Sequence, residues 1–458
     1  MPRPAFTDTH CHIQHKDFDA DRADVISRAL EAGVGRMFIV GSDRADNPAA
    51  LALAEQYDFI HAICGIHPHD ASSLGNGLKA ELRRWLSHPK AVAVGETGLD
   101  YHYMHSHRDA QRAAFVWHLR LARELGLPVV IHSREADDET VEILRSEGRG
   151  LRGLLHCFSG SAAMAREVLA LGYHISIAGP VTYKKADALR DVVKTVPVER
   201  LMIETDAPYL APAPLRGKRN EPSRIVHTAA EIARVKGLSV DDVARITTLN
   251  AFRFFGVGDV PDAARIAYPI RDSLYLNITN ECSNRCGFCI RYRDAFVKGH
   301  NLRLEREPSA DEIIGAIGAH EAFREVVFCG YGEPTLRLDA MKTVCAWLKE
   351  RGMAVRVNTN GHANLIHGRN VLPELRGLVD SFSVSLNAAN EADYNRICRP
   401  ERAESWAAMR DFIREAARAG FDVTATAVAL PGLDMGECAG LAESLGARFR
   451  LRAYDEVG

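Results

Sequence analysis

Short hydrophobic runs recur through the first half of the chain, separated by longer segments whose apolar residues repeat near every 3.6 positions. The runs Phe6–Thr9, Arg36–Val40, Ile60–Gly65, Ala91–Gly95, Pro128–Ile131, Gly153–Leu155, His174–Ile177 and Leu201–Ile203 predict eight strands alternating with helices. That alternation predicts an α/β fold with a parallel sheet, and eight units predict a closed (β/α)8 TIM barrel. Directly after the runs come His10 and His12, then His67, Glu96, His132, His156 and Asp206. Groups at the C-terminal ends of barrel strands share one mouth. The rhythm therefore predicts one cluster from residues that are far apart along the chain.

The second half alternates again. Ser273–Thr279, Glu325–Cys329, Ala354–Asn358, Ser381–Leu386, Asp422–Ala429 and Ala447–Arg452 predict strands, with SADEIIGAIGAHEAF and LDAMKTVCAWLKERG as intervening helices. Six such units fit an open (β/α)6 partial barrel. Between the halves, GVGDVPDAARIAYPIRD is rich in turn formers. This places a first domain at 1–258, a linker at 259–271 and a second domain at 272–458.

Composition sharpens this division. Fifteen of the 19 histidines precede residue 258, while seven of the ten cysteines follow it, which predicts two domains with different metals. A length of 458 residues with 47% hydrophobic content is ample for two cores. No apolar run approaches the ~20 residues needed to span a bilayer, and none precedes the first strand. A cytoplasmic protein with no membrane partner is expected, so the cysteines point to metal or redox use rather than disulfides. The net charge of −3 excludes a protein that grips nucleic acid by overall charge. One local exception is the loop APAPLRGKRNEPSR after the eighth strand, whose Arg216, Lys218 and Arg219 are candidate substrate contacts.

In THCH, His10 and His12 are two residues apart, so in a strand both imidazoles face the same way. Burying six ionisable groups unpaired would cost several kcal/mol each, and divalent cations relieve that cost. His10, His12, Glu96, His132, His156 and Asp206 suffice for two ions bridged by a carboxylate, an arrangement suited to phosphodiester hydrolysis. The mixed nitrogen and oxygen donors suit Zn, Mn, Fe or Co and do not exclude Mg. Glu96, Asp206 and Glu204 are the candidate catalytic carboxylates. Glu204 shares a strand face with Asp206, either orienting a ligand or filling the barrel. The motifs DTHCH, GIHPHD, GETGLDY, QRAAF, IHSRE, HCFSG and ETDAPYL resemble the TatD family of metal-dependent deoxyribonucleases, over nearly all of 1–258. The resemblance implies His10, His12, Glu96 and Asp206 around one ion and Glu96, His132 and His156 around the other. It also implies that His67 contacts the substrate phosphate, and that the first domain hydrolyses DNA ends.

NECSNRCGFCI sets Cys282, Cys286 and Cys289 in CxxxCxxC spacing just after a strand. A structural zinc site needs four ligands, usually as two knuckles, and no second knuckle is visible. Three thiolates suit a 4Fe–4S cluster that leaves one iron open to a cofactor. This segment, with Phe288 before the third cysteine, resembles the radical S-adenosylmethionine (SAM) superfamily, and the resemblance covers roughly 270–458. Gly332, Glu333 and Pro334 in GYGEP are like that superfamily's GGEP element, with Tyr331 in place of its first glycine. The resemblance implies that this element meets the SAM amino group. Asn358, Ser385 and Asn387 are candidate contacts to the SAM ribose or carboxylate. It further implies reductive cleavage of SAM to a 5′-deoxyadenosyl radical, and a flavodoxin- or ferredoxin-type electron donor. The reading is thus a hydrolase with DNA or a nucleotide-like substrate, holding two divalent ions (Mg, Mn or Zn), joined to a radical SAM domain. In one alternative the first domain hydrolyses a small phosphate ester, amide or lactone in a pathway with the second. In another the second domain is a non-enzymatic iron–sulfur regulator, which would have no need of a SAM pocket.

Overall fold

The computed structural model describes residues 6–258 and 263–452, and the chain divides into two compact units at 1–260 and 261–458. The first unit holds strands β1 (Phe6–Cys11), β2 (Val34–Gly41), β3 (Ile60–Cys64), β4 (Ala91–Asp100), β5 (Val129–Arg134), β6 (Gly153–Leu155), β7 (His174–Ile177) and β8 (Leu201–Ile203). They pair in parallel and in chain order. The ring is drawn together where the backbone N–H of Asp206 donates to His10 O (2.9 Å) and that of His12 to Ala207 O (2.7 Å). Four strands, β1, β2, β4 and β5, run farther than the hydrophobic pattern predicts. His10, Glu96 and His132 therefore lie within β1, β4 and β5, not after them.

The inner face of this barrel changes character along its axis. Phe38, Val40, Ile63, Val130, Leu154 and Met202 form an apolar layer, and Phe255 of the helix Val240–Phe255 stacks on Phe38 at 3.9 Å. With the two-residue period of a strand, the next inward positions are ligand types. Val130 gives way to His132, Leu154 to His156, and Met202 to Glu204 and Asp206. Burying the apolar layer stabilises the barrel at about 25 cal/mol per Å². That layer supplies the rigid floor on which the polar mouth is held.

The second unit contains β9 (Ala267–Ile270), β10 (Ser273–Leu276), β11 (Phe296–Val297), β12 (His300–Asn301), β13 (Glu325–Phe328), β14 (Ala354–Thr359), β15 (Ser381–Ser385), β16 (Asp422–Val428) and β17 (Arg448–Arg452). Its main sheet runs β17-β16-β15-β14-β13-β10-β9, with β11 and β12 as a separate hairpin. Six strands are parallel. The seventh, β9, pairs antiparallel with β10 and arises from the segment expected to be linker. Backbone pairing, not a strong apolar run, recruits it; residues 259–262 of that expected linker lie outside the described residues. One sheet face packs Val355, Val357, Phe382, Val384, Val423 and Ala425 against helices. Alternation turns the polar residues between them to the other face.

Candidate metal and iron–sulfur sites

The barrel mouth is built around Glu96. Its Oε1 lies 2.6 Å from His156 Nε2, 2.8 Å from His132 Nδ1 and 3.4 Å from His67 Nε2, and its Oε2 lies 3.3 Å from His10 Nε2. Asp206 Oδ1 lies 3.5 Å from His12 Nε2 and 3.9 Å from His10 Nε2. The register of the sheet shifts between Asp8 and Cys11 and between Val94 and Thr97, where His10 and Glu96 sit. Such irregularities re-aim side chains beside active sites. Gly98 serves the same end. Its φ is +142°, and a Cβ there would come 2.0 Å from His132 O, so only glycine lets β4 and β5 approach this closely.

Three sets of donors come within 4.8 Å of one another. They are His10, Glu96 and His156; His10, His12 and Asp206; and His67, Glu96 and His132. All six sequence-predicted ligands converge, and Glu96 Oε1, His132 Nδ1 and His156 Nε2, the set implied around one ion, lie 2.6–3.2 Å from one another. His67, expected only to touch a substrate phosphate, sits among the donors. Neither ring nitrogen of His10 has a hydrogen-bond partner although the residue is fully buried. An orphaned buried imidazole is costly, and a divalent cation would satisfy it. His12 is pre-oriented: its Nδ1 meets Val40 O at 2.8 Å, which presents Nε2 to the cluster.

Electrostatics follow from this crowding. Burial opposes ionisation of Glu96, but the imidazoles of His156, His67 and His10 outweigh it and hold the carboxyl well below the usual range. Burial and the neighbouring His156 keep His10 neutral, the form that ligates metal. Burial works against a charged His12, yet Asp206 overcomes it and raises the imidazole to about 9. The residues thus fit a pair of divalent cations.

Glu204 is fully buried, accepts the backbone N–H of Cys157 at 2.6 Å, and has Oε1 3.4 Å from His156 Nδ1, just outside hydrogen-bonding geometry. Its other oxygen is unpartnered. The basic loop divides. Arg219 binds Asp21 at 2.7 and 2.8 Å and stacks on Phe18, so its guanidinium fastens the loop. Arg216 lies over the Tyr183 ring, and both it and Lys218 are exposed.

Sequence reasoning passed over Asp100. Buried at the end of β4, its Oδ2 is 3.1 Å from both His132 Nε2 and His69 Nε2, and its Oδ1 accepts the N–H groups of His102 and Tyr103. The signal was available in GETGLDY. Residues 96, 98 and 100 share a strand face, so a second acid four residues after Glu96 points the same way. Asp8 was also missed. It accepts the N–H of Thr205 at 3.0 Å and its hydroxyl at 2.5 Å, fixing the turn that carries Asp206. Burial pushes its carboxyl up to about 8.

In the second unit, Cys282, Cys286 and Cys289 occupy the loop after β10 and are partly buried. Burial pushes the Cys282 thiol up to about 12, and Cys289 upward as well. A hydrogen bond with Cys398 raises Cys286. Uncompensated thiolates would be costly here, and bound metal would stabilise them.

Glu333 is buried and accepts the N–H groups of Thr335 (3.1 Å) and Asn360 (2.7 Å) and the hydroxyls of Thr335 (2.6 Å) and Thr359 (2.7 Å). Burial nonetheless raises its pKa. A Cβ on Gly332 would meet Glu281 O at 2.2 Å, so glycine is required where the GEP turn crosses the cysteine loop. Pro334 follows, buried, opening a short helical turn. Tyr331 packs with Tyr268 and Leu302, and its hydroxyl donates to Asp294 O. Phe288 packs against the core. Asn358 accepts from Arg356 at 2.7 Å, Ser385 ends β15, and Asn387 donates to Cys398 Sγ at 3.5 Å. Asn360, absent from the sequence reading, donates to Cys282 Sγ at 3.8 Å and Ser283 Oγ at 2.8 Å.

Comparison with known proteins accounts for both units. The model of TatD related DNase matches residues 7–256 and that of the Radical SAM superfamily residues 276–445. An uncharacterized metal-dependent hydrolase, YabD, of Bacillus subtilis is 43% identical over 251 residues, covering 55% of this chain and 98% of the relative. A 3′-5′ ssDNA/RNA exonuclease, TatD, of Erwinia amylovora is 38% identical over 257 residues, covering 55% and 99%. The crystal structure of the TatD homologue YJJV from Escherichia coli K12 aligns with a TM-score of 0.50 and 32% identity, over 55% of this chain and 98% of that one. No helix among the described residues is long and apolar enough to cross a membrane. Matched over more than half its length, the chain belongs to the TatD related DNase family and carries a radical SAM domain behind its metal-dependent hydrolase barrel.

Proposed function

We propose that the first domain is a deoxyribonuclease that shortens DNA from its ends using two divalent cations, and that the second cleaves SAM reductively at a 4Fe–4S cluster. The observation that carries the first reading is the convergence of five imidazoles on Glu96 and Asp206 with both nitrogens of buried His10 unpartnered. When bound, a cation pair supplies Lewis acidity for the phosphodiester and lowers the proton affinity of water. Glu96, fixed by His132, His156 and His10, would serve both cations. Asp206 works with His10 and His12 and takes the proton of the attacking water at Oδ1. Glu204, accepting the Cys157 N–H, steadies the turn that carries His156, and exposed Arg216 and Lys218 draw the polyanion to the rim. The name of the Erwinia relative, a 3′-5′ ssDNA/RNA exonuclease, supports a single-stranded substrate.

For the second reading, Cys282, Cys286 and Cys289 would hold the cluster, whose chemistry is to deliver one electron to bound SAM. Glu333, kept in place by Thr335, Thr359 and Asn360, accepts from the SAM amino group. Asn358, Ser385 and Asn387 line the remaining pocket.

The chain, purified anaerobically, should shorten end-labelled single-stranded DNA with Mg or Mn, and lose this with chelator. Intact DNA alongside cleavage of another ester would overturn the nuclease reading. After iron–sulfur reconstitution and reduction it should form 5′-deoxyadenosine. A protein without iron–sulfur absorption and without that product would overturn the second reading.

A further inference from the structure

The rim of the first barrel carries apolar side chains where solvent-facing loops are ordinarily polar. Among the described residues of that unit, the exposed large apolar side chains are Leu30, Tyr103, Met104, Leu125, Tyr209 and Leu210. Leu30 and Leu125 stand singly on two helices, an ordinary feature of a protein surface. The other four form two adjacent pairs, one in the loop after β4 and one in the loop after β8. Loops that follow barrel strands open on the mouth, where Glu96 and Asp206 lie.

The strands pair in the order β1 to β8 around the ring, so β4 and β8 stand on opposite sides of it. The two pairs therefore flank the donor cluster. The Tyr209 ring lies 6.1 Å from that of His12. The Tyr103 ring lies 5.5 Å from that of His69, which in turn is 4.2 Å from that of His67. Although this close to buried imidazoles, Tyr209 is 51% exposed and Tyr103 52%, so each ring keeps surface free for a ligand. Arg134 lies over the Tyr103 ring at 4.9 Å, and His105 lies parallel to that ring at 5.8 Å. The backbone beside both tyrosines is strained. Met104 and Leu210 have φ of +53° and +55°, a region that side chains with a Cβ disfavour. Strain beside apolar groups left in water does nothing for folding; it marks positions held for binding.

We propose that Tyr103 and Tyr209 are two stacking platforms, one on each side of the mouth, each taking an unpaired base next to the phosphodiester at the metal site. This rests on the nuclease reading above and adds how the substrate is chosen: a single strand, recognised by the faces of its bases and not by its sequence. Every base has a π-face, so stacking on an aromatic ring tolerates any sequence. In a duplex those faces are already covered by neighbouring bases, so the platforms favour single strands. A small phosphate ester would leave both rings in water. Arg134 adds a cation to one platform, the combination used by grooves that bind single strands.

The test uses the full chain with Mg and an end-labelled oligothymidylate, beside the same strand with abasic sites replacing the two bases at each end. Hydrolysis by the unaltered chain is measured first. Intact DNA would remove the nuclease reading and the platforms with it, whereas a shortened strand leaves the platforms to be judged alone. Tyr103→Ala and Tyr209→Ala should each raise KM about tenfold with kcat little changed, while Tyr103→Phe and Tyr209→Phe keep the original KM. On the abasic strand the unaltered chain should show a KM raised at least about tenfold, and the alanine variants no further loss. An unchanged KM in either alanine variant would overturn the proposal. So would equal losses on the two strands, which would assign the rings to the framework of the mouth.

Discussion

The two sites of this chain are assembled in opposite ways. At the barrel mouth, donors come from β1, β4, β5 and the segments after β3, β6 and β8, spanning residues 10 to 206. In the second unit, three sulfurs come from one loop of eight residues, 282–289. The first site depends on the register of the six strands that carry these groups, because each supplies one or two of them at a fixed height. The second needs only a local turn and a neighbouring strand end. The fold makes one site, and the spacing of three cysteines nearly makes the other.

This difference predicts where damage spreads. The largest effect is expected from Cys282→Ala, Cys286→Ala or Cys289→Ala, each bringing iron content and deoxyadenosine formation to background while DNA hydrolysis stays unchanged. Parallel loss of both activities would break the comparison. Next, Glu96→Gln removes the group that meets four imidazoles and should lower hydrolysis about a thousandfold, the cost of several kcal/mol of lost transition-state stabilisation. Deoxyadenosine formation and the iron–sulfur spectrum should not move.

Asp100→Asn sharpens the picture of the barrel as a cooperative device. It touches no expected cation directly but holds the far nitrogen of His132. Metal affinity, read by titration, should fall about 10–100-fold, with the fold intact by circular dichroism. An unchanged affinity would mean that Asp100 serves only His69 and the loop at Tyr103. The smallest effect is expected at the rim. Lys218→Gln should weaken single-stranded DNA binding severalfold and flatten the dependence of log K on log salt by about 0.7. The same change at Arg219 should act through stability instead, because Asp21 already holds that guanidinium.

Much of this was legible from residue order. Period-two spacing placed His10 with His12 and Glu204 with Asp206, and the eight-unit rhythm brought the ligands to one mouth. GETGLDY held the clue to Asp100, which was passed over because its acid follows the hydrophobic run by several residues. The extension of β4 to Asp100 depends on pairing with β5, through Gly98 with His132 and Asp100 with Arg134. The strand β9 escaped notice for a similar reason, since its hydrogen bonds come from β10 across a turn.

Sequence alone determined which chemical groups were available and which way each would face along its strand, because side-chain alternation and cysteine spacing are local properties. Tertiary structure decided which of them meet. It put His67 among the candidate donors and tied Arg219 to Asp21. These outcomes depend on distances between segments far apart in the chain, and only the closure and register of the sheets fix those distances.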